Sequence, residues 1–299
     1  MSESNNRIKI AVQKSGRLSD DSFSLLERCG IKIKKSNGRL FCHSQNFPLD
    51  VLLVRDDDIL SLIQDGICEL GIVGTNILRE KALQNNSNVV INPIEEVINL
   101  NFGFCKLSIA VPDTFSYVNI SSLANKRIAT TYPNLLKQFL KNNNVDAKVV
   151  VLTGAVEIAP RLNIADAICD LVSTGVTLEA NGLCEVENIL SSQAVLVKSL
   201  NMSVEKESIF KLLRCRIESV LQANEAKYIM LHCPKIALDK IVKLLPGAEN
   251  PTVMNLTGSD VVVAVHAVCK ESVFWETLEQ LKAAGASAIL VLPIEKMMG

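Results

Sequence analysis

Short aliphatic runs, separated by turn residues and amphipathic stretches, dominate the 299-residue chain. Runs of four to eight apolar positions read as buried strands, and stretches with a 3.6-residue period read as helices. Residues 8–12 predict a first strand, and Ser19 predicts the cap of a helix with Asp20 and Asp21 in its first turn and a stop at Cys29-Gly30. Residues 50–55 predict a second buried strand, after which Asp56, Asp57 and Asp58 open a helix whose start favours negative charge. Residues 85–100 read as an Asn-rich loop. Residues 102–111 read as a strand ending at Pro112-Asp113, where the chain crosses into a second lobe. There, residues 126–130 and 149–152 predict strands, 135–140 a helix, 142–145 a turn, and 154–161 a short helix carrying Glu157. Beyond Gly182 the next strand is 193–198, returning to the first lobe. A long helix from 205 to 226 follows, with apolar Ile209, Leu212, Leu213, Ile217, Val220 and Leu221. Two lobes joined by two connecting segments form a hinge that can close over a ligand.

From Lys227 the pattern changes. Strands at 228–232, 252–256, 261–269 and 288–292 alternate with helices at 236–245, stopped by Pro246-Gly247, and 271–284, stopped by Gly285. The order βαββαβ describes a ferredoxin-like unit. His232 and His266 stand alone in strands, where a histidine is more often a core or edge residue than a ligand, so this unit reads as regulatory or oligomeric.

Asp166-Ala-Ile-Cys-Asp170-Leu-Val-Ser-Thr-Gly175-Val-Thr-Leu178 is the stretch richest in chemistry. Ile168, Leu171 and Val172 suit a buried strand. Ser173, Thr174 and Thr177 offer hydroxyls, and Gly175 permits a turn closed to most residues. Successive N–H groups in such a turn can form an anion-binding nest, so the stretch reads either as a sugar-phosphate and metal site or as an ordinary strand, turn and helix. Residues 65–74 nearly repeat residues 166–175, with identities at the aspartate, Ile-Cys, leucine and final glycine. We read the two as pseudo-equivalent strand-turn units facing each other across a cleft. The turn from Gln13 to Arg17 is either a polyphosphate cradle, with Lys14, Gly16 and Arg17 beside a helix start, or a solvated turn. Arg55 at a strand exit suits phosphate oxygens. Glu157 either reaches into the cleft or lies on a charged surface turn.

Composition narrows the classes. Lys plus Arg (31) balance Asp plus Glu (32), which gives no basic field for nucleic acid, and aromatics are only 4%. No run reaches the roughly 18 apolar residues of a membrane span, and residues 1–9 lack a signal-peptide core. Nine dispersed cysteines, none in C-x-x-C spacing, argue against a disulfide framework or zinc site and fit a reducing cytoplasm.

Gln13-Lys-Ser-Gly-Arg-Leu-Ser-Asp-Asp21, Val54-Arg-Asp-Asp-Asp58, residues 165–182, Leu244-Leu-Pro-Gly-Ala248 and residues 289–296 together carry a family resemblance. The chain resembles the long-form ATP phosphoribosyltransferases of histidine biosynthesis from about Ile8 to its end. That resemblance implies an α/β fold with two type II periplasmic-binding-protein-like lobes and a C-terminal ACT-like βαββαβ regulatory domain. Lobe I would comprise residues 1–105 and 182–225, lobe II 106–181, and the regulatory domain 226–299. The implied substrates are ATP and 5-phosphoribosyl 1-pyrophosphate (PRPP). Asp166, Asp170, Ser173, Thr174, Gly175, Val176 and Thr177 would hold PRPP. Lys14, Ser15, Gly16, Arg17, Arg55, Gly74 and Glu157 would face ATP or pyrophosphate, with Asp170, Lys14, Arg17 and Arg55 carrying the catalysis. Mg²⁺ would be held by Asp170, directly or through water. Histidine would inhibit by binding near His232, Ala248, Thr252 and Ser287, and the assembly would be a cytoplasmic homo-hexamer built from dimers. Cys184 departs from the longer polar residue expected there. The competing reading is a two-lobe small-anion sensor without catalysis, which fold alone permits.

Overall fold

A computed structural model of the chain describes residues 6–34, 40–84, 93–245, 251–270 and 275–297. It falls into two compact units, Met1–Glu27 with Ile31–Ile209, and Arg28–Gly30 with Phe210–Gly299. The first unit opens with β1 (Ile8–Gln13), α1 (Arg17–Arg28), β2 (Phe41–His43), β3 (Leu49–Val54) and α2 (Asp56–Gln64). β4 (Leu70–Gly74), α3 (Thr75–Gln84), β5 (Ile94–Asn99) and β6 (Cys105–Pro112) follow, then β7 (Arg127–Thr130), α4 (Pro133–Asn142) and β8 (Lys148–Val151). β9 (Ala167–Val172), α5 (Val176–Ala180), β10 (Leu183–Ser192), β11 (Ala194–Ser199) and the start of α6 (Val204–Asn224) complete it.

These strands form two sheets, ordered β2-β3-β1-β4-β11-β5 and β10-β6-β9-β7-β8. One scheme governs both. In each lobe a central strand (β1, β7) lies between two parallel neighbours (β3 and β4; β8 and β9). The next strand arrives antiparallel from the other lobe (β11, β6), and an edge strand (β5, β10) pairs with it. Two lobes of like topology with two crossings bear out the expected periplasmic-binding-protein-like pair. Fully buried aliphatic residues explain the central strands: Ile8, Ile10, Leu70, Ile72, Ile128 and Ala167 are all inaccessible to solvent.

Several expected boundaries move. Residues 94–99, expected as loop, form edge strand β5. Residues 183–192, assigned in the sequence to lobe I, form β10 in the lobe II sheet, paired with β6. β10 is an edge strand with register shifts at Glu185/Glu187 and Asn188/Leu190, which break the alternation that marks a strand in sequence. Strand β6 starts at Cys105 rather than Phe102, because Asn101 and Gly103 take positive φ (57° and 67°). The expected short helix at 154–161 reduces to a 3₁₀ turn at Val156–Ile158. Helix α1 begins at Arg17, ahead of the expected cap Ser19.

The second unit contains β12 (Ala226–Pro234), α7 (Leu238–Leu244), β13 (Thr252–Asn255), β14 (Val262–Lys270), α8 (Trp275–Ala283) and β15 (Ser287–Pro293). Its sheet runs β13-β14-β12-β15, antiparallel throughout, as the ferredoxin-like expectation requires. Ile229, Leu231, Val263, Val265 and Ala267 alternate onto one core face with Ile241 of α7 and Leu281 of α8. The unit begins at Phe210, inside α6, rather than at residue 226. The helix stop at Pro246-Gly247 and the start of the last helix at 271–274 lie outside the described residues. No helix among the described residues is long and apolar enough to cross a membrane.

Candidate active site

Ligands of α/β sheets gather at the carboxyl ends of the strands, so β9 orients the lobe II half of the site. Past Val172, Ser173 and Thr174 are exposed. Gly175 takes φ 81° at the residue preceding α5, a left-handed conformation that the missing side chain permits. Buried Leu178 anchors the turn beneath. Helix α5 has only five residues, so what the turn can offer an anion is its N–H groups and hydroxyls rather than a macrodipole.

A cavity of about 280 Å³ opens at this turn, lined by Asp170, Ser173, Thr174, Gly175 and Thr177 from lobe II together with Glu157 and, from lobe I, Arg17. Glu157 gets there through a strained turn: Gly154 and Ala155 take φ 137° and 48°. A smaller cavity of about 50 Å³ shares Arg17 and Leu171 with the first and is otherwise lined by Gln13, Asp56, Gly74, Asn76 and Cys105, among others.

Burial pushes the Asp170 carboxyl above the ordinary range, and nearby Glu157 adds to the shift. The Leu171 amide, donating to Asp170 Oδ1 at 2.8 Å, and the Arg17 cation oppose it. A half-buried carboxylate between a cation and a second carboxylate is strained when ionised and gains from ligand hydroxyls or a cation.

Arg17 is placed by its local chain. Gly16 takes φ 110°, and a Cβ there would stand 2.9 Å from Gln13 Nε2. Gln13 Oε1 accepts the Leu18 amide (3.2 Å), doing for α1 what Ser19 was expected to do, and Lys14 N donates to Val54 O (2.8 Å). Lys14, Ser15, Gly16 and Arg55 are exposed at the carboxyl ends of β1 and β3 and line neither cavity, nor does Val176, which is 64% exposed.

Asp166 corrects the sequence reading. It lies before the first residue of β9, at the opposite end of that strand from the Ser173–Thr177 turn. Its Oδ2 accepts Arg127 N (2.8 Å) and its Oδ1 accepts Arg127 Nη2 (3.0 Å). Those bonds hold its pKa below the usual range. Glu69 does the same in lobe I: it precedes β4, accepts Lys9 N (2.8 Å) and pairs with Lys206 Nζ. The near-repeat is therefore structural, but shifted by four residues, so that Glu69 matches Asp166 and Gly74 matches Leu171. Each carboxylate thus ties two neighbouring parallel strands at their starts, β1 to β4 and β7 to β9.

Sequence reasoning missed the groups that join the lobes. Asn76 Nδ2 donates to the hydroxyl of Tyr132 (3.0 Å), and Glu80 reaches the start of α4. Burial and the Asp170, Asp56 and Asp57 charges push the Tyr132 phenol well up, so it stays a neutral hydroxyl. Asp56, read in the sequence as a helix opener, lines the smaller cavity. No group of three or more His, Cys, Asp or Glu among the described residues is arranged to hold a metal ion.

In the second unit, His232 pairs with Ser287 across β12 and β15, while Thr252 pairs with His266 on β14. The Tyr228 hydroxyl lies 2.6 Å from His266 Nδ1. Ala248 lies outside the described residues.

Residues 55–219 match the family model of HisG, ATP phosphoribosyltransferase, and residues 223–296 match that of the HisG C-terminal domain. The chain belongs to the ATP phosphoribosyltransferase family. It is accordingly an enzyme of histidine biosynthesis acting on ATP and PRPP, which excludes the sensor without catalysis. Among solved structures it is similar to the ATP phosphoribosyl transferase (HisG:HisZ) complex from Thermotoga maritima, at TM-score 0.57 and 23% identity over 71% of this chain and 98% of that one. Weaker likenesses are the alkanesulfonate-binding protein SsuA of Xanthomonas axonopodis pv. citri (TM-score 0.46, 16% identity, 71% and 72% covered) and the GluR0 ligand-binding core with L-glutamate (0.47, 13%, 72% and 95%). Neither bears on the ligand of this chain.

Proposed function

We propose that the enzyme joins N1 of the ATP adenine to C1 of PRPP, giving N1-(5-phosphoribosyl)-ATP and pyrophosphate with inversion at C1. The carrying observation is the cavity that brings Arg17 of one lobe to Asp170, Glu157 and the Ser173–Thr177 turn of the other. The turn takes the 5′-phosphate through N–H and hydroxyl donors. Asp170 accepts from the ribose hydroxyls, and Arg17 neutralises the departing pyrophosphate; Lys14 and Arg55, at the neighbouring strand ends, add positive charge for the ATP phosphates. Adenine N1 is a weak nucleophile, so the C1–O bond loosens toward an oxocarbenium-like state before the C1–N bond is complete, and its electron pair leaves with pyrophosphate. Placement and charge stabilisation then outweigh any single base.

Mg²⁺ fits this chemistry. Asp170 and Glu157 supply the one or two carboxylates that such an ion uses beside substrate phosphates, and the ion would stabilise the leaving group as a Lewis acid. Histidine acts as feedback inhibitor at the second unit, around His232, Thr252, Ser287 and Ala248, in a cytoplasmic homo-hexamer built from dimers. The match at 223–296 and the pairing of His232 with Ser287 support that reading. The inhibition is allosteric if histidine prefers a catalytically poorer arrangement.

Pyrophosphate release with ATP and PRPP, with and without histidine, tests these assignments. Asp170→Asn and Thr177→Ala should each lower kcat/KM for PRPP by about 2 to 3 kcal/mol of transition-state stabilisation. Near wild-type values in both would reject the cavity as the PRPP site.

A further inference from the structure

Glu80 stands in the middle of α3, in lobe I, and lines none of the cavities described above. Its carboxylate crosses to lobe II. Oε1 accepts Asn134 N (2.9 Å) and Asn134 Nδ2 (2.8 Å), and Oε2 accepts Leu135 N (2.8 Å). Helix α4 has no cap of its own: Tyr132, the residue before it, makes no side-chain cap bond, and Pro133 has no N–H. The first amides that α4 can offer are thus those of Asn134 and Leu135, and Glu80 takes both. A carboxylate at a helix start satisfies amides and complements the helix dipole, and here it does so from the opposite lobe.

The other end of α3 is tied down as well. Thr75 N and Oγ1 donate to Gln193 O (2.9 and 3.1 Å), Asn76 N donates to Ser192 Oγ (3.0 Å), and Ser192 Oγ donates to Asn76 Oδ1 (2.8 Å). Residues 192 and 193 form one of the two crossings between lobes. Helix α3 is therefore fixed to a crossing at its start and to α4 at its middle, with the Asn76–Tyr132 bond between the two.

We propose that Glu80 is a positioning residue for the transferase reaction. By capping α4 it sets lobe II against lobe I, so that Arg17 faces Asp170 and the phosphate turn. This rests on the reading of that cavity as the PRPP site. The turn belongs wholly to lobe II, so capture of the 5′-phosphate needs no contribution from lobe I. Loss of pyrophosphate draws on both lobes. Removing the cap should therefore slow turnover more than it weakens PRPP binding.

The test uses the full chain and three variants, Glu80→Ala, Glu80→Gln and Asn134→Ala, with kcat, the PRPP dissociation constant and hydrogen exchange at the Asn134 and Leu135 amides measured in each. For Glu80→Ala, kcat should fall about tenfold, the loss expected from removing a helix cap whose effect falls on the transition state. PRPP affinity should stay within about twofold, and the two amides should exchange faster. Glu80→Gln keeps a carbonyl acceptor and should recover part of kcat. Asn134→Ala, which removes one of the three bonds, should show a smaller loss of the same kind. Unchanged kcat in Glu80→Ala, unchanged exchange at the two amides, or parallel loss of kcat and PRPP affinity without recovery in Glu80→Gln would each overturn the proposal. The exchange readout does not depend on where PRPP binds. A failure of the site assignment would show separately, as an active Asp170→Asn enzyme.

Discussion

Asp170→Asn should make the protein more stable while making it a poor enzyme. In the folded chain the Asp170 pKa is raised, first by burial and then by Glu157, and only partly restored by the Leu171 amide and Arg17. A raised folded pKa means that protonation favours the native state. That contribution is complete below the unfolded carboxyl pKa of about 3.9 and is lost as pH rises through the folded value. At neutral pH the protein thus carries an ionised carboxylate that the fold disfavours. Asparagine has the same shape and keeps an oxygen for the Leu171 amide, whose bond to Asp170 Oδ1 is 2.8 Å. It removes the desolvated charge and the repulsion from Glu157, and gives up the attraction to Arg17. The balance should be a gain of about 1 kcal/mol, the size commonly found when a strained functional group is neutralised. Urea unfolding at pH 7 should show the gain, and near pH 3, where the wild-type carboxyl is protonated, it should vanish. A variant destabilised by more than about 1 kcal/mol with turnover intact would refute the reasoning and make Asp170 a structural carboxylate.

Asp166 should behave in the opposite way: its lowered pKa means that its stabilisation is present above the unfolded pKa and is lost as pH falls through the folded value. Because its side chain is 34% exposed and solvent screens the pair, Asp166→Asn should cost under about 1 kcal/mol in urea unfolding at neutral pH, with kcat/KM for PRPP unchanged. Glu69, only 9% exposed, should matter more, and Glu69→Ala should cost about 2 to 3 kcal/mol by the same assay because Lys206 and the Lys9 amide lose their acceptor. Gly16→Ala must adopt φ 110° with its Cβ against Gln13, so it should disturb Arg17 and lower kcat several-fold in pyrophosphate-release kinetics, with PRPP affinity little changed. With no cluster of three ligating side chains among the described residues, EDTA should leave the melting temperature of the substrate-free protein unchanged, yet stop turnover until Mg²⁺ is restored.

Much of this architecture was legible in the chain because buried parallel strands read as aliphatic runs and helices as 3.6-period stripes. The turn beyond β9 stood out for a similar reason: Ser173, Thr174, Gly175 and Thr177 place three hydroxyls and a glycine directly after an apolar strand. Strand β10 was not, because its two register shifts leave Leu183, Val186, Ile189 and Leu190 without a period of two. The near-repeat misled in register because both segments match best around Ile-Cys and leucine, whereas the sheets align them through the carboxylates of Glu69 and Asp166. Asp166 looks like a site residue in sequence, and only its bond to β7, matched by that of Glu69 to β1, shows that both carboxylates tie strands together. Glu80 and Asn76 carry no local signal, since their partners, Asn134 and Tyr132, lie more than fifty residues along the chain and in the other lobe.

The assignment of the PRPP site is tested most directly by hydrogen exchange of the full chain with and without PRPP. If the turn beyond β9 holds the 5′-phosphate, the amides of residues 173–178 should gain protection on adding PRPP, while those of Arg127 and Asp166, at the far end of the same sheet, should not change. Protection at Arg127 and Asp166 with none at residues 173–178 would contradict it.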